Sequence, residues 1–148
     1  EILNMSIIIE NSGLFSSFQD FGRDGYEHDG VIPGGALDDL AHEIANRLVA
    51  NDKKEATLEM THKMAKIRFT EPALIALTGG NFKAETQNIK VYPNKLYLIE
   101  KGEVLKFKET SRTSRVYLAI GGGFKLDKWL DSTSTDFNVK IGGFKGRK

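Results

Sequence analysis

The sequence contains no cysteine among its 148 residues. This absence excludes disulfide bonds, thiolate catalysis and cysteine-ligated metal sites. The chain also lacks any apolar run close to the roughly 20 residues that a membrane span needs. Its start shows neither the basic leader nor the small-residue cleavage site of a secretion signal. We therefore expect a cytoplasmic protein that has no membrane partner.

An excess of charge of one sign is missing as well. Lysine and arginine number 21 against 20 aspartates and glutamates, and both signs are scattered along the chain. A protein that binds the phosphate backbone needs a concentrated basic face, so we expect no nucleic-acid partner. The basic stretch "GGFKGRK" at the end of the sequence is predicted to be a solvated tail.

The common catalytic signatures are absent. The sequence has no G-x-x-x-x-G-K-[ST] nucleotide loop and no G-x-S-x-G nucleophile elbow. The three histidines, His28, His42 and His62, lack the spacing of metal ligands, so no metal site is predicted. His42 falls beside the polar face of a predicted helix, where a solvated histidine is expected.

One segment, "GALDDLAHEIANRLVAND", has the apolar period of an amphipathic helix. The pattern predicts a helix over residues 36–50. Its acidic first turn, Asp38 and Asp39, suits the helix dipole. Asn46 and Arg47 are predicted to face away from the core. The predicted core stripe consists of Leu37, Leu40, Ala41, Ile44, Leu48 and Val49.

Most of the remaining chain is typical of short strands. About ten segments alternate apolar and polar residues between glycine, proline and asparagine turns. The expected fold is therefore mainly β, a barrel or closed sandwich with one main helix covering an end or a face. The last segment, "DSTSTDFNVKIGGFKGRK", is predicted to be a loop. We interpret Met5 as the natural start and residues 1–4 as a cloning remnant.

Candidate functional residues cluster in the glycine-rich loops. Arg23 has the fork geometry to hold a carboxylate or phosphate, and the backbone N–H groups of "TGGN" at 78–81 are suited to cradle an anion. The structural alternatives are a surface Asp20–Arg23 ion pair worth at most about 1 kcal/mol, a helix cap at Asn51 and a solvent-facing strand residue at Glu59. Residue types and spacing leave both interpretations open.

The ordered motifs resemble those of the biotin-dependent carboxyltransferase family, also called allophanate hydrolase subunit 2. "GLFSSFQDFGRDGYEHDGVIPGGALDD" is similar to the opening signature of that family, and "ANRLVAN", "ATLEMT", "IALTGGNF", "KGEVLKF", "RVYLAIGGGF" and "STSTDF" follow in the family's order. The fixed positions of the signature find counterparts at Gly13, Leu14, Ser16, Gln19, Asp20, Gly22, Arg23, Gly25, Gly30, Gly35, Ala36 and Asp38.

The resemblance implies a cyclophilin-like β-barrel, with residues 5–148 as the N-terminal domain of a longer chain. It implies three functions: the C subunit of an ATP-dependent 5-oxoprolinase, carboxyl transfer from carboxybiotin to urea, or a non-enzymatic antagonist of a histidine-kinase inhibitor. The implied partners are a kinase-inhibitor-like B subunit, a separate A subunit, and a small amide substrate. ATP or carboxybiotin would be the cofactor, although no motif for either is visible.

By the same resemblance, the glycine loop is expected to gather three catalytic residues near the start of the helix. These are Arg23, Gln19 and Asp20. The expected substrate-binding residues are Asn46, Arg47, Asn51, Glu59, Thr78, Gly79, Asn81, Ser132, Thr133 and Asp136. If the site is shared with a second half or with another protein of the complex, this chain alone is expected to be inactive, and uncovered apolar surface favours a homodimer.

Overall fold

The computed structural model describes residues 7–61, 64–108 and 115–146. Ten strands and one α-helix make up its regular structure, together with a short 3-10 helix at Glu27–Asp29. The predicted cloning remnant, Met5 and His62 lie outside the described residues. The strands are β1 (Ile7–Asn11), β2 (Phe15–Gln19), β3 (Thr57–Thr61), β4 (Lys66–Phe69), β5 (Ala73–Gly79), β6 (Lys83–Glu85), β7 (Lys90–Val91), β8 (Leu96–Ile99), β9 (Val104–Lys108) and β10 (Arg115–Ile120).

The strands form two antiparallel sheets of five. One has the order β1-β4-β9-β6-β7 and the other β2-β3-β10-β5-β8. The mainly β class with one helix is thus confirmed. The closed barrel is not confirmed, because the described strands leave each sheet with two edges. The predicted terminal loop agrees with residues 127–146, which contain only two isolated bridges.

The larger apolar core contains side chains from both sheets, and the central strands show why. In β10, Val116 and Leu118 belong to this core, whereas Tyr117 and Ala119 contact the helix. Successive strand residues face opposite sides, so one strand serves two cores. The second sheet therefore has an apolar layer on each face.

The helix α1 spans Asp39–Leu48, shorter at both ends than the predicted 36–50. The Asp38 side chain caps it by accepting a hydrogen bond from the Ala41 N–H. Asp38 itself has φ of −115° and ψ of 89°, outside the helical region, so the helix begins only at Asp39. After Leu48, residue 50 has a positive φ. None of the helices in the described parts of the chain is long and apolar enough to cross a membrane.

The predicted apolar stripe of α1 is partly wrong. Ala41 and Val49 are buried, but Leu37 and Leu40 are 70% and 69% exposed. Asn46, predicted to face away, is fully buried. The buried face consists of Ala41, His42, Ala45, Asn46 and Val49. Small alanines let the helix lie close to the sheet, and hydrogen bonds inside the protein replace water for the two polar side chains.

Candidate functional site

The glycine loop that follows β2 folds back on itself. The Arg23 N–H donates to the Pro33 carbonyl at 2.8 Å. A Cβ at Gly22 would lie 2.6 Å from that carbonyl oxygen, and one at Gly35 would lie 2.9 Å from the backbone of residue 21. Both glycines have positive φ. The two limbs of the loop approach too closely for side chains, and this approach holds Arg23 at the base.

Asp20 is a buried carboxylate in a cradle of hydrogen-bond donors. Its Oδ1 accepts from the Ser132 and Ser134 hydroxyls at 2.6 Å each and from the Gly22 N–H at 2.7 Å. Its Oδ2 accepts from the Thr133 N–H at 2.6 Å and the Thr133 hydroxyl at 2.9 Å. Burial raises the pKa of Asp20, but these hydrogen bonds outweigh it, so the pKa lies below its ordinary value.

The Arg23 side chain is 2% exposed. Its Nη2 donates to the Ser134 carbonyl at 2.5 Å, its Nε donates to the Trp129 carbonyl at 3.5 Å, and its guanidinium carbon lies 5.2 Å from the centre of the Trp129 ring. Its Nη1 is buried and has no acceptor among the described residues. The predicted surface ion pair with Asp20 is wrong, because both side chains are buried and each has other partners.

Gln19 shares this environment. Its Nε2 donates to the Ser17 hydroxyl at 3.0 Å and to the Thr135 carbonyl at 3.2 Å. Its Oε1 is buried and, within the described part of the chain, accepts no hydrogen bond. Buried polar groups are normally paired. The loop base therefore holds an open donor on Arg23 and an open acceptor on Gln19.

A second cluster surrounds Glu59 at the start of α1. Glu59 Oε1 accepts from Arg115 Nη1 at 2.7 Å, and Oε2 accepts from the Tyr117 hydroxyl at 2.8 Å and the Leu37 N–H at 2.9 Å. The Asp38 N–H donates to the Tyr117 hydroxyl at 2.9 Å. Burial and the Glu59 charge raise the pKa of Tyr117. The structural alternative, in which Glu59 is a solvent-facing strand residue, is therefore wrong. The Glu59 carboxylate is buried and holds the beginning of the helix.

The predicted anion cradle at 78–81 lies beside this cluster. The Thr78 hydroxyl donates to a carbonyl of α1 at 2.6 Å. The Gly80 N–H donates to the Arg115 carbonyl at 2.7 Å, and a Cβ at Gly79 would collide with the same oxygen. Asn81 is exposed. The two glycines therefore allow the end of β5 to lie close to β10. The Gly80 N–H already donates to β10 and is not available to bind an anion.

A third cluster lies at the end of α1. Asn46 Nδ2 donates to the Glu55 carbonyl at 2.7 Å. Asn51 Nδ2 donates to the Ile120 carbonyl at 2.8 Å, and its Oδ1 accepts from the Gly122 N–H at 2.9 Å. Asn46 joins the helix to the segment before β3, and Asn51 joins the residues after the helix to β10 and the loop that follows it. Asn51 therefore links two segments rather than only capping the helix.

The prediction of a solvated His42 is wrong. Its side chain is fully buried. Nε2 lies 3.1 Å from the Lys53 carbonyl, which only accepts, so Nε2 carries the proton and Nδ1 accepts from the Thr57 hydroxyl at 2.8 Å. Burial lowers the pKa of His42 below its ordinary value. Arg47, by contrast, is exposed and pairs with Glu43 at 2.5 Å.

The structure places most of the predicted site residues in three groups, and leaves Arg47 and Asn81 exposed outside them. The group at the loop base is Gln19, Asp20, Arg23, Ser132 and Thr133, with Asp136 close by on the same segment. The other groups are Glu59, Thr78 and Gly79 at the start of α1, and Asn46 and Asn51 at its end. Residue patterns missed Trp129, Arg115 and Tyr117. Of the described residues, no group of three or more histidines or carboxylates has the arrangement of a metal site.

Comparison with known proteins agrees with the family resemblance. The family model "Carboxyltransferase domain, subdomain A and B" matches residues 29–148. The chain is 35% identical over 139 residues to the C subunit of the 5-oxoprolinase of Escherichia coli (94% of this chain, 45% of that protein). It is 34% identical over 143 residues to urea amidolyase of Saccharomyces cerevisiae (96% of this chain, 8% of that protein).

Solved structures extend the agreement to the fold. The crystal structure of the Kluyveromyces lactis urea amidolyase matches with a TM-score of 0.89 and 32% identity, over 95% of this chain and 9% of that one. The crystal structure of TTHA0988 matches with a TM-score of 0.89 and 29% identity, over 97% of this chain and 29% of that one. The chain spans less than half the length of the curated relatives it matches. Its sequence and fold together establish that it belongs to the carboxyltransferase domain family, subdomain A and B.

Proposed function

We propose that this chain is the N-terminal domain of a component equivalent to the C subunit of an ATP-dependent 5-oxoprolinase, which opens 5-oxoproline to glutamate. The similarity to the C subunit of the Escherichia coli 5-oxoprolinase supports this assignment. A cyclophilin-like barrel completed by further chain, and a cytoplasmic location, belong to the same proposal. The partners would be homologues of the A and B subunits, together with the small amide substrate.

The buried, open Nη1 of Arg23 is the observation that supports the chemistry. A guanidinium group whose donor has no acceptor among the described residues is suited to an incoming oxyanion, because charge-assisted hydrogen bonds are the strong ones. Gly34 is exposed, and a Cβ built on it would lie 3.4 Å from Nη1. Because residue 34 is a glycine, it has no side chain that covers Nη1, and in the proposed function the oxyanion reaches this buried atom from that side.

In this proposal Arg23 binds the carboxylate of the substrate or a phosphoryl oxygen. The Gln19 Oε1, which is buried and open, would accept from a substrate N–H. Asp20 would act as a positioning residue, since its oxygens hold the segment whose Ser134 carbonyl binds Arg23. When bound, ATP would supply the driving force for opening a stable amide, and Arg23 is the residue that would hold its transferred phosphoryl group.

Carboxyl transfer is the second candidate, because the urea amidolyases are almost as similar in sequence. Carboxybiotin would then supply the carboxyl group. The same Arg23 Nη1 would stabilise the ureido oxygen as charge develops there. Both candidates therefore place the anion at the same atom, and only the substrate separates them.

The first experiment measures turnover with the full-length protein, co-expressed with its A and B subunits. We expect ATP-dependent release of glutamate from 5-oxoproline that needs all three proteins, and no activity from the 148-residue chain alone. Activity only with urea and carboxybiotin would transfer the assignment to carboxyl transfer. A stable complex that is silent in both assays would favour the regulatory function. Sedimentation of the isolated chain tests the expected homodimer.

Arg23→Lys tests the mechanism in that complex, because lysine keeps the positive charge but lacks the planar guanidinium group with its several N–H donors. Losing one charge-assisted hydrogen bond is worth about 1.5–3 kcal/mol, or roughly 10- to 100-fold in turnover. Arg47→Lys is the matched control, since Arg47 is exposed and its partner is Glu43. A loss within about twofold for Arg23→Lys would make the arginine structural.

Gly34→Ala gives an independent test of the approach to Nη1. Gly30→Ala is its control: Gly30 has a similar φ of 78°, and no atom of the residues that the structure describes lies within 4 Å of the position that its methyl group would take. Both substitutions carry the same backbone strain, but only the first places a methyl group near Nη1. We expect a raised KM for Gly34→Ala alone. A KM raised equally by Gly30→Ala would assign the effect to the loop backbone.

A further inference from the structure

A small cavity lies next to Arg23. Its volume is about 140 Å³, and its lining includes Lys128, Trp129, Lys140, Gly142 and Lys145. A Cβ at Gly142 would lie 3.2 Å from Arg23 Nη2, so the backbone of this glycine lies against the guanidinium group. The buried arginine therefore lies directly behind the glycine backbone that lines the cavity.

The charges of this region are poorly balanced. Three lysines line the cavity against one carboxylate, Asp127. Across the described part of the chain, none of these lysines and no atom of Arg23 forms an ion pair. The nearby Asp20 adds a second negative charge, because its five hydrogen bonds come from neutral donors, so three lysines and Arg23 stand against two carboxylates. A multivalent anion would find uncompensated positive charge here.

The backbone and the tryptophan add two further features. Lys140 and Lys145 each have φ of 58°, a conformation uncommon for residues other than glycine, and such outliers cluster at functional sites. Arg23 lies over one side of the Trp129 ring, whose residue is still 40% exposed. The cavity thus combines lysines on a constrained backbone with an aromatic wall.

We propose that this cavity binds a phosphate group carrying at least two negative charges. Lysine is a common phosphate ligand, acting as a point charge, and the carboxylates of Asp127 and Asp20 leave two positive charges of the region unmatched. The volume is smaller than the roughly 300–1,000 Å³ of pockets that enclose drug-sized ligands, so the site fits a phosphate or diphosphate and not a whole nucleotide. The phosphate belongs either to inorganic phosphates or to the exposed chain of a nucleotide.

Binding is measured directly on the purified protein by calorimetry and by fluorescence. Trp129 is the only tryptophan of the chain, so its emission reports on this cavity alone. The probes are inorganic pyrophosphate, ATP and adenosine. We expect pyrophosphate and ATP to change the emission and adenosine to leave it unchanged, with affinity falling as salt rises. Equal affinities for pyrophosphate and ATP would identify the phosphate alone as ligand, and tighter ATP binding would identify a nucleotide.

The double variant Lys128→Gln with Lys140→Gln removes two charges from the cavity, and we expect pyrophosphate binding weaker by at least about tenfold. The control, Lys83→Gln with Lys90→Gln, removes two charges beside Tyr92 at a different surface cavity and should change affinity by less than about twofold. Equal weakening in both variants, adenosine binding as tight as ATP, or no signal with pyrophosphate would overturn the proposal. None of these results depends on turnover, so the 5-oxoprolinase assignment is tested separately.

Discussion

Asp20 illustrates how a buried charge is tolerated in this protein. Its carboxylate is 6% exposed, and burying a charge is costly unless it is paired and hydrogen-bonded. Two serine hydroxyls, a threonine hydroxyl and two backbone N–H groups offset that cost. Because four of these donors come from residues 132–134, one carboxylate holds the terminal segment on the end of β2.

Asp20→Ala should therefore be strongly destabilising. The substitution leaves a cluster of buried donors without their acceptor, and each buried donor left unsatisfied costs about 1–3 kcal/mol, so we expect a loss of at least about 3 kcal/mol. Asp136→Ala is the control, because Asp136 is only half-buried and, among the described residues, its carboxylate accepts from two backbone N–H groups, at 2.8 and 3.3 Å. Urea denaturation gives both values. Similar losses for the two variants would contradict a special role for Asp20.

Residue types indicate which polar groups matter but not how they are buried. Gln19, Asp20, Arg23, Ser132 and Thr133 are all predicted from the sequence, and the structure brings them together. Their contacts join residues 112 and 116 positions apart in the chain, so no local pattern contains them. For Trp129, whose ring lies beside Arg23, the sequence carries no signal at all.

At the scale of the element, α1 depends on its beginning. Asp38 caps it, and the backbone N–H groups of Leu37 and Asp38 bind the Glu59–Tyr117 pair. The first turn of a helix leaves its N–H groups without partners, and here the sheet supplies acceptors for the residues just before it. The helix is thereby fixed to the sheet at its first turn.

Asp38→Ala should lower the free energy of unfolding by about 1 kcal/mol, the usual cost of losing an N-cap. Asp39→Ala is the matched control: it removes an exposed carboxylate of the first turn, worth about 0.3–1 kcal/mol through the helix dipole, and no cap bond. Thermal unfolding followed by circular dichroism measures both at about 1 M salt, which screens the dipole contribution of Asp39 but leaves the cap hydrogen bond. An Asp39→Ala loss as large as that of Asp38→Ala would argue against the cap.

The helix also shows the limit of the apolar period. The apolar period predicts the helix correctly but assigns the wrong residues to its buried face. His42 and Asn46 are buried there, whereas two of the predicted leucines are exposed. Polar residues four positions apart, each preceded by an alanine, are the signal available in the sequence. Only the acceptors and donors at Thr57, Lys53 and Glu55 make their burial favourable, and those lie outside the helix.

At the scale of the molecule, the pH dependence of stability follows from these buried groups. The pKa of His42 lies below its ordinary 6.5 in the fold, so the unfolded chain binds more protons as the pH falls. The fold favours neutral His42, so its contribution to the free energy of unfolding is complete above about pH 6.5. That contribution is lost at lower pH, where the unfolded chain takes up the proton. Asp20 has a pKa below its ordinary 3.8 in the fold. Its contribution to the free energy of unfolding is therefore present above about pH 4 and is lost as the pH falls through the pKa of the folded state.

We therefore expect the free energy of unfolding to be level between about pH 7 and pH 9, below the ordinary tyrosine pKa of about 10, and to fall as the pH approaches about 5. Replacing His42 by glutamine should flatten this slope, because glutamine does not titrate. His28→Gln is the control, since His28 is exposed. Urea unfolding at several pH values gives the slope. An unchanged slope in the His42 variant would assign the pH dependence to other groups.

The sequence by itself determined the family, the mainly β class, the helix and the loop residues of the candidate site, because these depend on local period and on ordered motifs. Only the tertiary structure decided that the strands form two sheets, that Glu59 and His42 are buried, and that Arg23 keeps an open donor beside Gly34 and a lysine-lined cavity. The physical reason is that burial and hydrogen-bond pairing are set by segments distant in the chain, and these meet only when it folds.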